Sequence, residues 1–564
     1  MTDSASHPGE ATRNRAGVWH RRLFAWGPAV LIALMAAWRL RAFLLWDPTR
    51  LTTHGLLADD AFFYSVLARN FDRFGFLTLD GEMPTNGVQP LWMLLQIALV
   101  KIFPGIHETA LNAASSWAFY ILFCLLAARF LAGSGSPSGA LRALFAGGLV
   151  LANPRVLAWT VQGLETPLVL LLYALLFETL RRASDREPRF LARRDLLALG
   201  ILSGLCFLAR TDQFWLAIVI GGWLLLSHRR APGYERDLAP GLRDLLFYFV
   251  PLALLVLPYL AHNLFVHGGL MPVSGAVKAY YVGSFYPSLS AYLASDEWWA
   301  LVQAFSDPFP FALPVPVMIT AIALAFAIRL AWRRDGLGRP RVAARIFSIA
   351  AIAHALTLYL FYRELMTRNA YYFAPTLLWA VWMFAEALPG MGAGERAMRR
   401  WSLPLAAMGS LVVLIFAWMS VPIQEQRYWL QRVRLAEDAR RLVPQGESLG
   451  AFWPGTFAQF SGRPVIPLDG VAGSRRYLDE YIKQGRELDY LLERGHRYLA
   501  THLPMYPDSL LASESPLIMN WTRLGVRRIW EMRDSLDFRV LAARRVAKGE
   551  GGWCLLELAR KREE

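Results

Sequence analysis

The sequence has few cysteines and none of the common nucleotide-binding patterns. Among 564 residues there are three cysteines, with Cys124 and Cys206 inside apolar runs and Cys554 near the C-terminus, so neither a disulfide framework nor a CxxC metal site is indicated. Glycine-rich turns surround short strands at residues 455–470, but GxGxxG and Walker patterns are missing there. We find no internal repeat and no low-complexity tract. These absences argue against a disulfide scaffold, a repeat protein and a nucleotide site in that segment.

Apolar residues, by contrast, are abundant. Hydrophobic residues make up 55% of the chain, 21 residues are tryptophan and the mean hydropathy is +0.31. Apolar runs of about 18 to 22 residues recur between basic clusters, which is typical of a polytopic α-helical membrane protein. The net charge of +15 would suggest nucleic acid in a soluble protein, but many basic residues lie in short loops between the runs and determine topology. No nucleic-acid partner is predicted.

The basic N-terminus is expected in the cytoplasm, because positive residues favour that side of the membrane. The first apolar run, 24–46, has no convincing cleavage site and is interpreted as a retained span. The short run 88–104 is expected to lie along the outer face as a juxtamembrane helix, because a crossing there would place the basic segment 181–195 outside. About eleven spans result. They are expected near residues 24–46, 109–131, 141–158, 166–180, 195–209, 213–227, 243–260, 310–331, 345–362, 371–388 and 401–421.

A change in composition near residue 422 predicts two domains. Residues 1–421 contain the spans and a first outer loop, 47–108, with juxtamembrane helices. Beyond them charges become frequent and short β-like runs alternate with helical stretches such as residues 477–495, so residues 422–564 are expected to form a small α/β domain. The odd number of spans places this domain on the outer side. The strand-like runs are residues 448–452, 464–468, 496–503, 538–546 and 552–558.

In this topology the unusual polar motifs share the outer side. An acidic pair, Asp59 and Asp60, follows the first span. The other outer segments with such motifs are residues 153–167, 208–213, 262–281 and 362–372. The topology rests on lysine and arginine bias alone and makes no use of these motifs. Their shared location therefore indicates an active site at the outer surface.

The acidic pair is the first candidate for catalysis. Transfer of a sugar from a lipid phosphate to a hydroxyl needs a carboxylate that takes the acceptor proton as the phosphate departs, and partial burial would tune the pKa of that base. The alternative is a helix cap, because an acid before AFFYSVLARN satisfies free amides and the helix dipole. The roles are compatible, since one of Asp59 and Asp60 can cap while its neighbour reacts.

Five further charged residues lie at predicted span ends or in outer loops. Lys278 and Arg368 could offset the charge of a phosphate leaving group, or snorkel at the membrane interface. Glu165, Arg210 and Asp212 could bind acceptor, divalent metal or phosphate. The alternatives are a helix cap for Glu165 and a structural ion pair between Arg210 and Asp212.

The order of these motifs resembles one known superfamily. In the first outer loop the acidic pair is followed by an aromatic-rich helix ending in ARN, then a glycine and TNGVQPLW. Further stretches are GLET, LARTD, PVSGAVK and SGRPVIPLDG, so the resemblance spans most of the chain. The pattern resembles the GT-C superfamily of polyprenyl-phosphate-sugar-dependent glycosyltransferases, which includes protein mannosyltransferases, lipid A aminoarabinose transferases and mycobacterial arabinofuranosyltransferases.

The resemblance implies a GT-C fold, a lipid-linked sugar donor entering from the bilayer and an inverting single displacement. The acceptor would be a hydroxyl of a glycan, lipid or protein at the outer face of the bacterial inner membrane. By this resemblance Asp59 aligns with the catalytic base and Asp60 is its neighbour, while Lys278 and Arg368 match phosphate-binding cations. The loop has NGVQPL where mannosyl- and aminoarabinosyltransferases have HPPL or KPPL, so their substrate specificity is not carried over.

No cofactor is predicted, and metal dependence is left open. Members of the superfamily differ in their need for a divalent metal. His262 and His267 lack a third ligand at fixed spacing, so no metal site is assigned to them.

Two other classes of function compete with this one. A transporter or flippase of lipid-linked saccharides would be expected to have paired ionisable residues near span midpoints and broken helices in related halves. A non-catalytic scaffold would need no acid at the outer surface. The polar groups of this sequence lie instead at span ends on one side, which favours the glycosyltransferase.

Overall fold

The computed structural model describes the larger part of the helical region and of the C-terminal domain. The described residues are 8–133, 137–147, 160–186, 191–229, 238–285, 342–368, 425–503, 536–547 and 551–560, with a few isolated positions. The spans expected at 310–331, 371–388 and 401–421, and most of the one at 141–158, lie outside these residues. The expected number of spans therefore stays a prediction.

Helices make up nearly all of the described structure before residue 369. They are α1 (Pro8–Arg39), α2 (Ala42–Leu45), α3 (Pro48–Thr53), α4 (Asp59–Phe74), α5 (Pro90–Ile102), α6 (Glu108–Ala132), α7 (Pro137–Ala146), α8 (Thr166–Arg186), α9 (Arg193–Ala209), α10 (Phe214–Arg229), α11 (Leu238–His267), α12 (Val273–Phe285) and α13 (Val342–Arg368). A 3₁₀ turn, Thr211–Gln213, joins α9 to α10. Within the described ranges, α6 and the Leu245–His267 part of α11 are long and apolar enough to cross a membrane.

Helix α4 carries the acidic pair in its first turn. Its N-cap residue is Ala58, which makes no side-chain cap, so neither acid occupies the N-cap position proposed as the alternative role. In the first turn the positive end of the helix dipole still favours both carboxylates. The helix ends at Gly75, whose φ of 79° is the left-handed conformation that favours glycine.

The run expected to lie along the outer face forms a short helix. Helix α5 has 13 residues and starts with Pro90, a residue suited to the first helical position because its missing N–H has no partner to lose. At 1.5 Å per residue it is about 20 Å long, whereas the hydrocarbon core of a bilayer is about 30 Å thick.

The outer loop expected at 262–281 is mostly helical, which corrects that expectation. Helix α11 continues to His267, and α12 begins at Val273. Gly268, with φ of 71°, ends α11, and its N–H donates to the carbonyl of Leu264. The motif PVSGAVK therefore starts a helix, and its lysine projects from α12 rather than from a loop.

The C-terminal domain is built on a mixed five-stranded sheet with strand order β2-β1-β3-β5-β4. Strands β1, β2 and β3 are parallel, whereas β5 pairs antiparallel with β3 and β4. The strands are β1 (Leu449–Ala451), β2 (Val465–Pro467), β3 (Tyr498–Leu503), β4 (Leu536–Ala547) and β5 (Gly551–Arg560). The accompanying helices are α14 (Arg427–Leu442), α15 (Pro454–Phe460), α16 (Arg475–Glu480) and α17 (Glu487–Glu493).

This domain packs directly on the first outer loop and on α12. The buried Tyr281 hydroxyl donates to Glu487 Oε1 at 3.2 Å. At Gly87 the two backbones almost touch, because a Cβ added there would lie 2.0 Å from the carbonyl oxygen of Val471. A glycine is required at such a close approach.

We expect Gly87→Ala to destabilise this interface by about 1 to 3 kcal/mol, because the added methyl group meets backbone that cannot rotate away. Thermal unfolding of the detergent-solubilised protein would measure the loss. Gly105→Ala is the matched control in the same outer loop, since a Cβ at Gly105 meets nothing within 4 Å. Equal unfolding temperatures for the two variants would contradict the close packing.

Candidate active site

A cavity of about 300 Å³ lies where the first outer loop, which includes α4, meets α12 and the C-terminal domain. Its polar lining residues are Asp60, Tyr64, Gln89, Glu165, Thr211, Asp212, Ser274 and Lys278. Val471 of the C-terminal domain completes one wall. The cavity thus collects residues from most of the motifs that the sequence places on the outer side.

Asp60 and Lys278 face each other in this cavity. The Lys278 Nζ lies 3.9 Å from Asp60 Oδ2, and the Asp60 side chain is 38% exposed. Partial removal from water raises the pKa of the Asp60 carboxyl above its ordinary value, while the Lys278 cation opposes that shift. A carboxylate with a raised pKa and access to a cavity is suited to general-base chemistry.

Asp59 points away from the cavity into the interface with the C-terminal domain. Its carboxylate is buried and accepts four hydrogen bonds, all from that domain. Arg432 Nη2 donates to Oδ1 at 2.6 Å, and Thr456 donates to the same oxygen from its N–H and its Oγ1, both at 2.7 Å. The N–H of Gly455 donates to Oδ2 at 3.1 Å. The structure thus separates the two acids that the resemblance treats as neighbours in one site.

Glu165 and Asp212 line the cavity, and the buried Arg210 pairs with both. Arg210, only 1% exposed, lies between the two acids, with Nη2 2.7 Å from Asp212 Oδ2 and Nε 3.8 Å from Glu165 Oε1. The expected ion pair between Arg210 and Asp212 is therefore confirmed. The Tyr64 hydroxyl donates to Glu165 Oε2 at 3.0 Å. Burial raises the pKa of the Glu165 carboxyl, and Arg210 opposes the shift.

Residues of the TNGVQPLW segment form hydrogen bonds to several of the elements that surround the cavity. Gln89 accepts a hydrogen bond from the N–H of Thr211 at 3.1 Å and donates its own N–H to Tyr64 Oη at 3.2 Å. The Asn86 Oδ1 accepts from the N–H of Val273 at 3.1 Å, at the start of the helix that carries Lys278. The sequence offered these residues as a family signature, and the structure gives them a positioning role.

Asp469, in the SGRPVIPLDG stretch, is a buried carboxyl near the acidic pair. It follows β2, and its Oδ1 accepts a hydrogen bond from the N–H of Val471 at 3.1 Å. Burial raises the pKa of Asp469 well above its ordinary value, and the negative charges of Asp59 and Asp60 raise it further. Sequence reasoning passed over this residue, although an acid directly after a short strand in a quoted motif was a visible signal.

The carboxylates that line the cavity are the candidates for holding a metal ion, and metal dependence stays open. Among the described residues, no three histidine, cysteine, aspartate or glutamate side chains are grouped to hold one. Glu165 and Asp212 are already paired with Arg210, and Asp60 with Lys278.

Arg368, the second cation expected to bind phosphate, is the last residue of α13, and its side chain lies outside the described structure.

The fold resembles crystal structures of the oligosaccharyltransferase from Archaeoglobus fulgidus. The apo form aligns with a TM-score of 0.54 at 13% identity, covering 93% of this chain and 80% of that one. The form tethered to an acceptor peptide containing the NVT sequon also gives 0.54 at 13% identity, covering 86% and 70%. ArnT from Cupriavidus metallidurans bound to undecaprenyl phosphate gives 0.48 at 13% identity, covering 93% and 97%.

The chain matches no protein-family model and no curated protein sequence. At this level of identity the likeness to the oligosaccharyltransferase concerns the fold. It confirms the fold class that the resemblance implies.

Proposed function

We propose that this protein is an inverting glycosyltransferase of the bacterial inner membrane. It moves a sugar from a polyprenyl-phosphate donor to a hydroxyl of a cell-envelope glycan, lipid or protein at the outer face, with its C-terminal domain in the periplasm. The observation that carries the proposal is the cavity in a GT-C fold where Asp60 and Lys278 lie 3.9 Å apart. A base and a phosphate-binding cation are the two groups that such a transfer needs.

Asp60 is the proposed base. It takes the proton of the acceptor hydroxyl as that oxygen bonds to the anomeric carbon of the sugar. The bond from this carbon to the phosphate oxygen breaks on the opposite side, and its electron pair leaves with the polyprenyl phosphate. The raised pKa of Asp60 favours this step, because a stronger base removes the hydroxyl proton more readily.

Lys278 has two successive partners in this proposal. In the structure it pairs with Asp60, and on donor binding it turns to the phosphate. Loss of the cation from Asp60 raises the pKa of that carboxyl further, so the base gains strength when the donor is in place. Arg368 is the second proposed phosphate-binding residue. Glu165 and Asp212 are proposed to hold sugar or acceptor hydroxyls, with Arg210 as the supporting residue between them.

The activity test uses detergent-solubilised protein and a panel of polyprenyl-phosphate sugars, with an envelope extract as the source of acceptors. Mass spectrometry should detect free polyprenyl phosphate and a glycosylated acceptor, and the product should have the inverted anomeric configuration. The same donors are then tested in proteoliposomes. Transbilayer movement of an intact donor without cleavage would overturn the proposal in favour of a transporter or flippase.

We expect Lys278→Gln to lower kcat/KM roughly 10²-fold, because one group that stabilises phosphate charge is lost. The acid limb of the pH profile of kcat/KM should also move to higher pH. The base must be ionised to act, and without the cation the pKa of Asp60 rises. Lys483→Gln is the control, since Lys483 pairs with Asp479 in the C-terminal domain. If the acid limb of Lys278→Gln lay at the wild-type pH, Lys278 would not influence the ionisation of the base.

A further inference from the structure

The Asp59 carboxylate lies at the N-terminus of α15, a helix of the C-terminal domain. The first amides of a helix have no partner within the helix, and a side chain just before it usually satisfies them. Here the N-cap residue is Trp453, which cannot do so. Asp59 accepts from the amides of Gly455 and Thr456 instead, so one domain caps a helix of the other.

Asp59 also neutralises a buried arginine. Arg432 is fully buried, and the rings of Trp453 and Trp553 lie 5.2 and 4.8 Å from its guanidinium carbon. Its Nη2 donates to Asp59 and to the carbonyl of Trp453. Among the described residues, Asp59 is the carboxylate that pairs with this cation. A buried charge of this kind is tolerated only when a partner offsets it.

The backbone of Asp59, like its side chain, is in close contact with the C-terminal domain. A Cβ added at Gly455 would lie 2.1 Å from the carbonyl oxygen of Asp59, so α15 rests against the first turn of α4. Asp59 is not among the residues that line the cavity, whereas the next residue, Asp60, is. The orientation of that turn determines where the Asp60 carboxylate points.

We propose that Asp59 is a positioning residue that docks the C-terminal domain onto α4 and thereby holds Asp60 towards Lys278. The inference rests on the proposed function for the role of Asp60. It makes the C-terminal domain a structural part of the active site. It also divides the acidic pair into one residue that reacts and one that holds the domains together.

The test is a second-site rescue. Asp59→Asn should lower kcat at least tenfold, because Arg432 is left without its counter-charge. The double variant Asp59→Asn/Arg432→Gln removes both charges and should recover most of that loss. The control is Asp60→Asn/Arg432→Gln, which should stay as inactive as Asp60→Asn. If the Asp59 double variant were as inactive as Asp59→Asn, a reacting role for Asp59 would stand and the proposal would fail.

Thr456→Val provides a milder variant in case Asp59→Asn does not fold. It removes the hydroxyl donor to Asp59 and keeps the amide. We expect kcat to fall several-fold, with the donor KM and the acid limb of the pH profile unchanged. A shifted acid limb would show that the carboxylate touched by Thr456 is the titrating base, and would overturn the proposal.

Hydrogen exchange gives a readout that does not depend on turnover. The amides of Gly455 and Thr456 should exchange faster in Asp59→Asn and at the wild-type rate in Asp60→Asn. Unchanged exchange in Asp59→Asn would refute the docking role even if activity were lost. If the wild type transfers no sugar, the proposed function fails, and the exchange rates still decide the role of Asp59.

Discussion

Asp60→Asn is expected to lower kcat by about 10²- to 10⁴-fold, the usual contribution of a general base. The amide keeps the shape of the side chain but cannot take the acceptor proton. The Asp60 side chain lines the cavity, and its ion-pair partner Lys278 is 3.9 Å away, so its replacement should leave folding intact. Release of polyprenyl phosphate, measured by mass spectrometry, gives the rate.

Donor affinity separates this effect from damage to the site. Binding of the polyprenyl-phosphate sugar to Asp60→Asn should match the wild type or exceed it, because a negative charge near the donor phosphate is removed. Asp72→Asn is the matched control, since Asp72 lies exposed on the same helix, α4. Turnover by Asp60→Asn above a tenth of the wild-type rate would rule out Asp60 as the base.

Arg432→Met should produce the largest loss of stability, about 3 to 5 kcal/mol, which is typical when one partner of a buried ion pair is removed. The methionine fills much of the volume among the aromatic rings but leaves the Asp59 carboxylate buried without its cation. It also removes the donor to the carbonyl of Trp453. Thermal unfolding in detergent measures the change.

Arg434→Met is the control for Arg432→Met, because Arg434 is exposed two residues further along α14. Surface substitutions of this kind usually change stability by less than about 0.5 kcal/mol. If both variants unfolded at the same temperature, the ion pair between Arg432 and Asp59 would contribute nothing measurable to the docking of the C-terminal domain.

Local patterns predicted much of the secondary structure. Each of the five strand-like runs forms a strand of the sheet, because alternating and β-branched residues bounded by turns are a local signal. The stretch 477–495, predicted to be helical, is broken into short helices instead. Gly485, with φ of 71°, adopts a left-handed conformation that a continuous helix cannot contain.

The candidate site was predicted in part. Asp60, Glu165, Asp212 and Lys278 meet in one cavity, as expected from the topology that the sequence predicts. The environment of Asp59 could not be predicted, because its partner Arg432 is 373 residues away and belongs to another domain. No local pattern encodes such a contact. The resemblance to known transferases identifies the acidic pair, but it does not indicate where each of the two side chains points.

The wall that Val471 contributes to the cavity has a consequence for biosynthesis. Chains enter the membrane from the N-terminus, so the helix with the acidic pair is in place long before Arg432, Thr456 and Val471 emerge. Until they do, Asp59 has no partner from the C-terminal domain and the cavity stays open on one side. A nascent or truncated chain that ends before residue 432 would therefore lack both the partners of Asp59 and one side of the cavity, and the site would be complete only once residues 432–471 are made.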